Sequence, residues 1–352
     1  QETKRELKPV SKNNLLNKIM YKSNKHCSDS TKKRVNEIIL SLLIKDWDTL
    51  KKYSFEGLPD EMPLLRSLLW KMNLKYLNHD LDRWDEYLLK KREEYNDLKA
   101  AFILKLQMEK KMFMELEKLN IPSEKDKPQN LHETPHNGNG NSKENNSKKN
   151  SFLENLDEET VKQANLDRKL LEDIDKDIRR THTYMHFFFM PSKKSDKITN
   201  EEIAKVVEKK KQNDTTKNVE ELYSRTTTDW ETNSDVLVRI LFIYAKLNPE
   251  VNYVQGMNEI LAPIYYCFFS EEEHGYSHSS MDELDLQKEN DYKYSPDVEA
   301  DSFWAFSCLM RDIKELFIKD KDNKSGGIFS KLAILAEVLK IVDKDMFNHL
   351  NK

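Results

Sequence analysis

The stretch VLVRILFIYAKLNPEVNYVQGMNEILAPIYYCFF, residues 236–269, predicts two apolar helices that are joined by a polar turn. In its first half, apolar residues recur every three or four positions, which is the spacing of one buried helix face. Asn248-Pro249 ends this helix, because proline lacks the N–H that a further turn requires. A second apolar helix follows from Gly256, and Pro263 allows a kink or an early turn within it.

Helical spacing of apolar residues recurs through most of the remaining chain. The segments are 35–50, 65–76, 82–120, 156–181, 297–319 and 328–341. Gly57, Pro59 and Pro63 break the chain between the first two segments. No segment alternates apolar and polar residues as a half-buried strand does, and the sequence has no internal repeat. We therefore predict an all-α, multi-helix fold.

Three polar stretches interrupt the helical pattern, at about 121–155, 191–232 and 270–296. They contain few apolar side chains, so burial cannot offset the entropy that ordering would cost. We therefore expect disordered insertions. Residues 1–56 are assigned to a polar amino-terminal segment with a lead helix, and residues 57–352 to one domain that holds the insertions.

The composition excludes several classes of protein. The 352 residues include 58 Lys and Arg against 62 Asp and Glu, and this net charge of −4 argues against a nucleic-acid binder. The 3 cysteines share no close spacing, so they form neither a zinc site nor a disulfide framework. The longest apolar run, 260–269, is about half the length of a membrane span. The first residues are no signal peptide, and we expect a soluble, cytoplasmic protein.

Motifs of self-contained enzymes are missing from the sequence. It has no Gly-x-x-x-x-Gly-Lys phosphate loop, no His-Glu-x-x-His metal site and no Gly-x-Ser-x-Gly nucleophile turn. Any chemistry must therefore proceed without a metal or cofactor of the chain's own.

Two short segments carry candidate functional residues, and the first is IDKDIRRT, residues 174–181. Asp177 and Arg180 are three positions apart and share a helix face, so the carboxylate can orient the guanidinium. The alternative is a surface ion pair with a structural role, which is common on helices.

The second segment is NPEVNYVQGMN, residues 248–258, in which Gln255 lies in the turn between two apolar helices. Polar residues interrupt what is otherwise the start of a buried helix. The structural alternative is that Asn258 caps the helix, or that the turn requires Gly256.

Together and in this order, the two segments resemble those of the TBC domain family of Rab GTPase-activating proteins. The family pattern Ile-x-x-Asp-x-x-Arg is met at residues 174–180, and Tyr-x-Gln-Gly-Met-Asn is met at residues 253–258. An earlier family element, a Gly-Leu-Pro turn followed by Arg and Trp, matches residues 57–59 with Arg66 and Trp70.

A fourth match is Ala300-Asp301, which resembles the family's Ala-Asp before an aromatic-rich helix. The chain departs from the family at Asn252, where glycine is frequent, and at His182-Thr183, where Phe-Pro is common. Asparagine tolerates left-handed backbone geometry, so the turn can survive. The family's carboxy-terminal lobe continues beyond the position of Lys352, so we expect that lobe to be incomplete here.

The resemblance implies a TBC-type domain that accelerates GTP hydrolysis by Rab-family small GTPases, and hence regulates vesicle trafficking and intracellular protein transport. Arg180 corresponds to the arginine finger, and Gln255 to the residue that positions the attacking water. The residues that support these two are Asp177, which orients Arg180, and Tyr253, Gly256 and Asn258, which hold the Gln255 turn. Arg66 and Trp70 belong to a structural motif.

The resemblance also implies what the chain does not supply. The partner is a GTP-bound Rab that brings its own Mg²⁺ and GTP, so the chain needs no cofactor and no metal site. It is then an activator in trans and not an enzyme with a self-contained activity. We expect it in the cytoplasm, with at most peripheral recruitment to endomembranes.

Two alternatives remain open. A catalytically silent TBC-fold scaffold or effector would bind small GTPases without accelerating hydrolysis. A coiled-coil adaptor built on residues 82–120 would need several uninterrupted heptads, which this segment lacks.

Overall fold

The structure is a computed structural model that describes residues 14–118, 157–192, 222–223, 232–270, 297–317 and 328–351. This part of the chain contains eleven α-helices and no β-strand apart from an isolated bridge between Pro191 and Thr232. The all-α prediction is thus confirmed. In chain order the helices are α1 (Asn14–His26), α2 (Asp29–Leu43), α3 (Trp47–Glu56), α4 (Pro63–Asn73), α5 (Trp84–Lys118), α6 (Glu158–Arg180), α7 (Asn233–Leu247), α8 (Met257–Phe269), α9 (Asp297–Ile313), α10 (Ile328–Val342) and α11 (Lys344–Leu350).

The three expected insertions lie almost wholly outside the described residues, so their disorder stays a prediction. Within the second insertion the structure describes residues 191–192, 222–223 and 232, and Leu222 and Tyr223 are buried. The first residue of this insertion, Pro191, forms the bridge with its last, Thr232, and the Asn233 amide donates to the Met190 carbonyl at 2.9 Å. The two ends of this insertion therefore lie side by side.

The segment 35–50, predicted as one helix, forms two. α2 ends at Leu43, and Lys45 adopts a φ of 60°, in the left-handed region. Asp46 then starts α3, because its carboxylate accepts a hydrogen bond from the Thr49 amide at 3.1 Å. The apolar stripe kept helical spacing across the break, so periodicity alone did not reveal it.

The chain divides into two compact units, residues 1–95 with 244–352 and residues 96–243. In the first unit α8 packs against α4 and α9, and α2 packs against α1 and α3. Large aromatic side chains fill the interior where α8 and α9 meet; they are Tyr265, Phe268, Phe303 and Phe306. α8 continues through Pro263, which is exposed.

The second unit contains most of α5, all of α6 and most of α7. The buried face of α6 includes Leu171, Ile174 and Ile178. The rings of Phe102 and Phe242 meet edge-to-face with centroids 6.1 Å apart. The buried face anchors α6 in this unit, and the last residue of the helix is Arg180.

A buried carboxyl cluster also lies in the second unit. Lys105 of α5 donates to Asp167 of α6 at 2.6 Å and lies 3.6 Å from Glu109. Gln163 donates to the other oxygen of Asp167 at 2.8 Å, and the Tyr223 hydroxyl donates to Glu109 at 3.3 Å. Polar contacts therefore join α5 and α6 inside an otherwise apolar interior.

Helices α10 and α11 pack on each other and expose many apolar side chains. Ile341 is 86% exposed and Ile334 is 59% exposed. The amphipathic helix predicted over 328–341 is present as α10. The incomplete carboxy-terminal lobe stays a prediction.

Candidate functional site

Arg180 is held at the end of a well-anchored helix. α6 begins with Glu158 and Glu159 and ends with Arg179 and Arg180, an order of charges that suits the helix dipole. Thr181 ends the helix, because its amide donates to Ile178 at 3.1 Å and its hydroxyl donates to the Asp177 carbonyl at 2.9 Å. The last turn, and with it the Cα of Arg180, is therefore fixed by buried contacts.

The ion pair on this turn involves the neighbouring arginine. Arg179 Nε lies 2.8 Å from the carboxylate of Asp175, and both side chains point into the protein. Arg180 is exposed, and within the described residues no ion pair joins it to Asp177. Asp177 is half-buried. Orientation of Arg180 by Asp177 therefore stays a prediction, and the Arg180 guanidinium faces solvent.

Gln255 lies in a turn with two left-handed residues. α7 ends at Leu247, and the Asn248 carbonyl accepts from the amides of Val251 at 3.1 Å and Asn252 at 2.8 Å. Asn252 adopts a φ of 58°, so asparagine does replace the frequent glycine in left-handed geometry here. Gly256 adopts a φ of 102°, which favours glycine.

Asn258 brings the other predicted residues of this turn together. Its side-chain oxygen accepts a hydrogen bond from the Gly256 amide at 3.0 Å and from the Tyr253 hydroxyl at 3.2 Å. Asn258 is buried, and its amide group donates to Glu259 at 3.3 Å. These bonds fix the backbone on both sides of Gln255, whose own side chain is exposed.

Arg66 and Trp70 lie on α4. Arg66 donates to the Leu58 carbonyl at 3.2 Å and forms an ion pair with Asp60. Both side chains are half-buried. Arg66 thus ties the turn before α4 to the helix itself, which agrees with a structural role.

In comparison with known proteins, the matching family model covers the Gln255 segment and stops short of the Arg180 segment. The family model described as the Rab-GTPase-TBC domain matches residues 190–352. The chain carries a Rab-GTPase-TBC domain. The matched residues include Gln255 and Asp301, whereas Arg180 lies ten residues before them.

Relatives of this TBC-domain chain cover different shares of it. Human TBC1 domain family member 13 is 28% identical over 331 residues, which span 87% of this chain and 71% of that protein. The GTPase-activating protein GYP1 of Saccharomyces cerevisiae is 29% identical over 116 residues, which span 32% of this chain and 17% of the yeast protein. The crystal structure of the Ypt/Rab-GAP domain of Gyp1p aligns with 89% of this chain and 68% of its own, with a TM-score of 0.44 and 18% identity.

An ion cluster inside the TBC-domain chain was missed by the sequence analysis. Asp301 of α9 is 2% exposed, and its carboxylate accepts hydrogen bonds from Tyr76 at 2.9 Å and from Arg92 at 2.9 and 3.0 Å. Lys71 of α4, which is also buried, lies 2.8 Å from the same carboxylate. The sequence signals were a charged residue on the apolar face of each helix and the Ala300-Asp301 match.

The electrostatics of this cluster favour the charged form of Asp301. Burial opposes ionisation, but the Lys71 and Arg92 cations outweigh it and lower the pKa of Asp301 to about 2. Burial and the nearby carboxylate raise the pKa of the Tyr76 hydroxyl far above its ordinary value, so it remains a donor. The cluster joins helices that are more than 200 residues apart in the sequence.

The described residues contain no group of three or more His, Cys, Asp or Glu side chains placed to hold a metal ion. None of their helices is long and apolar enough to cross a membrane. The expectation that the TBC-domain chain needs no cofactor of its own stays a prediction.

Proposed function

We propose that this chain is a GTPase-activating protein for Rab-family small GTPases, and that it supplies Arg180 and Gln255 in trans. The observation that carries the proposal is that both side chains are exposed while their backbones are held rigidly. The TBC-domain match and the similarity to a GTPase-activating protein of yeast support it. Mg²⁺ and GTP belong to the GTPase, so the chain contributes side chains only.

Arg180 acts on the charge that develops during phosphoryl transfer. The terminal oxygens of GTP gain negative charge in the transition state, and a GTPase alone stabilises that charge poorly. A planar guanidinium can bridge two oxygens in fixed geometry, which an ammonium cannot do. An arginine finger accelerates hydrolysis by about 10³ to 10⁵, or roughly 4 to 7 kcal/mol of barrier. In the complex, Asp177 orients the guanidinium.

Gln255 acts on the attacking water. Its amide group can both accept from the water and donate to a γ-phosphate oxygen. Such placement requires a backbone that does not move when the partner docks. The bonds from Tyr253 and Gly256 to Asn258 supply that rigidity. Arg66 and Trp70 stabilise the fold and do not contact the nucleotide.

On this proposal the chain works in the cytoplasm, with at most peripheral recruitment to endomembranes, and it regulates vesicle trafficking and intracellular protein transport. A Rab in its GTP-bound form is the partner. A silent scaffold or effector would bind the same partner without changing its rate of hydrolysis.

The test is single-turnover GTP hydrolysis by a panel of Rab GTPases. Wild-type protein should accelerate at least one of them, Arg180→Ala should lower the stimulated rate by about 10³ or more, and Gln255→Ala by about 10². Lys176→Ala is the matched control, because Lys176 is an exposed cation on the same helix that pairs only weakly, at 3.7 Å, with Asp173. Full stimulation by Arg180→Ala would refute the assignment. Binding without acceleration across the panel would establish the scaffold instead.

A further inference from the structure

The loop that follows Arg180 presents an aromatic side chain to solvent. Tyr184 is 71% exposed and lies four residues after the end of α6. An exposed aromatic ring leaves a large apolar surface in water, which binding to another protein would remove. Tyrosine is also among the residues that contribute most to binding energy at protein interfaces.

His182 holds this ring in place. A hydrogen bond of 2.9 Å joins His182 Nδ1 and the Tyr184 hydroxyl. The two rings also meet edge-to-face, with centroids 5.6 Å apart and an interplanar angle of 88°. His182 itself has a φ of 45°, in a region that non-glycine residues rarely adopt. Such backbone strain tends to occur where function requires a particular geometry.

The support for His182 reaches into the interior of the second unit. Its ring stacks on the buried ring of Phe188, with centroids 5.7 Å apart and an angle of 18°. The Phe188 carbonyl accepts a hydrogen bond from Ser234 at 2.5 Å, and the Phe187 carbonyl accepts one from Asn233 at 2.9 Å. The exposed tyrosine is therefore connected, contact by contact, to the first turn of α7.

We propose that Tyr184 anchors the partner GTPase by packing on an apolar patch beside the nucleotide, an inference that rests on the proposed function. Its place next to Arg180 puts it at the edge of the surface that the GTPase must cover. Because the ring is already ordered, binding loses less side-chain entropy than with a free tyrosine. Tyr184 touches no reacting atom, so it contributes to binding and not to the chemical step.

The experiment separates binding from chemistry. Single-turnover hydrolysis is measured against the concentration of activator, with the Rab GTPase that the wild-type protein stimulates most. Tyr184→Ala should raise the half-saturating concentration about tenfold or more, with the saturating rate within about twofold of wild type. Arg180→Ala should show the opposite pattern, a lower saturating rate at an unchanged half-saturating concentration.

Two further variants test the support and the specificity. His182→Gly accepts the positive φ but removes the ring, so it should raise the half-saturating concentration about threefold to tenfold. Tyr21→Ala removes another tyrosine, 61% exposed on α1, and should leave both parameters unchanged. Circular dichroism and thermal melting establish that each variant is folded.

The outcomes are distinct from those that test the proposed function. If the wild-type protein accelerates hydrolysis and Tyr184→Ala has an unchanged half-saturating concentration, the anchor role of Tyr184 is refuted and the proposed function is not affected. If the wild-type protein binds GTP-loaded Rab without accelerating hydrolysis, the affinity of Tyr184→Ala for the same Rab tests the anchor. A tenfold weaker affinity supports the anchor, and an unchanged affinity overturns it. If the wild-type protein neither binds nor accelerates any Rab of the panel, both proposals are overturned.

Discussion

The substitution Asp301→Ala tests the ion cluster in the first unit. Asp301 is the common acceptor for Lys71, Tyr76 and Arg92. Its removal takes away the carboxylate that lies 2.8 Å from the buried Lys71 ammonium, whose side chain is 2% exposed. Arg92 loses less, because it also pairs with Asp297 at 2.9 Å and is partly exposed.

The expected cost follows from the burial of the pair. Removing one member of a buried ion pair typically destabilises a protein by about 3–5 kcal/mol, because an uncompensated charge is left in a poorly polar interior. Total stabilities are about 5–15 kcal/mol, so this is a large fraction of the whole. The melting temperature should fall by about 5–15 °C.

The assay is urea unfolding, monitored by tryptophan fluorescence. Trp304 lies one helical turn from Asp301 and serves as a local probe. A double variant, Asp301→Ala with Lys71→Met, removes both charges and should recover about 2 kcal/mol or more of the loss. Glu337→Ala is the control, since it breaks an exposed pair with Lys340 and should cost less than about 0.5 kcal/mol.

Two results would contradict this reasoning. The first is an Asp301→Ala variant whose free energy of unfolding lies within about 1 kcal/mol of wild type. The second is a double variant as unstable as the single one, because the cost would then not come from the loss of the Lys71–Asp301 pair.

Two more predictions concern local features. Burial, with the nearby Asp167 carboxylate, raises the pKa of Glu109 to about 7 from its ordinary 4.5. The folded protein thus favours the protonated form of Glu109. The protein's free energy of unfolding should therefore fall by about 1–3 kcal/mol as the pH rises from 5 to 8, because the carboxyl then loses its proton. Glu109→Gln should flatten this profile in urea titrations, and parallel profiles would exclude Glu109 as the cause. Gly256→Ala should lower the free energy of unfolding by about 1–2 kcal/mol. The cost comes from backbone strain at a φ of 102°, because a Cβ there meets nothing within 4 Å. Asn252→Gly relieves a positive φ but removes the side-chain oxygen that accepts from the Tyr253 amide at 2.8 Å, so it should change the free energy of unfolding by less than about 1 kcal/mol. A loss equal to that of Gly256→Ala would contradict the backbone explanation.

Much of the helical architecture follows from local spacing. Apolar residues at three- and four-residue intervals mark α7, α8 and α9, because a helix face repeats with that period whatever it packs against. The same rule overlooked the break between α2 and α3. There the apolar stripe continues in phase, and a left-handed Lys45 with an Asp46 cap interrupts the helix.

The candidate site, too, could be predicted only in part from the sequence. The positions of Arg180 at a helix end and Gln255 in a turn could be inferred from the neighbouring residues. The ion-pair partner of each arginine could not be inferred, because residues three apart and residues four apart both share a helix face. Asp177 with Arg180 and Asp175 with Arg179 were equally allowed, and the structure forms the second pair because that face is the buried one.

The sequence alone therefore indicated which segments are helical, which of their faces are apolar, and that the turn at 252–256 needs left-handed backbone. It did not indicate contacts between distant segments. Lys71, Arg92 and Asp301 are each an ordinary charge on a helix, and their convergence depends on how those helices pack in three dimensions. Periodicity reports the direction in which a side chain points, but only packing decides which groups it meets there.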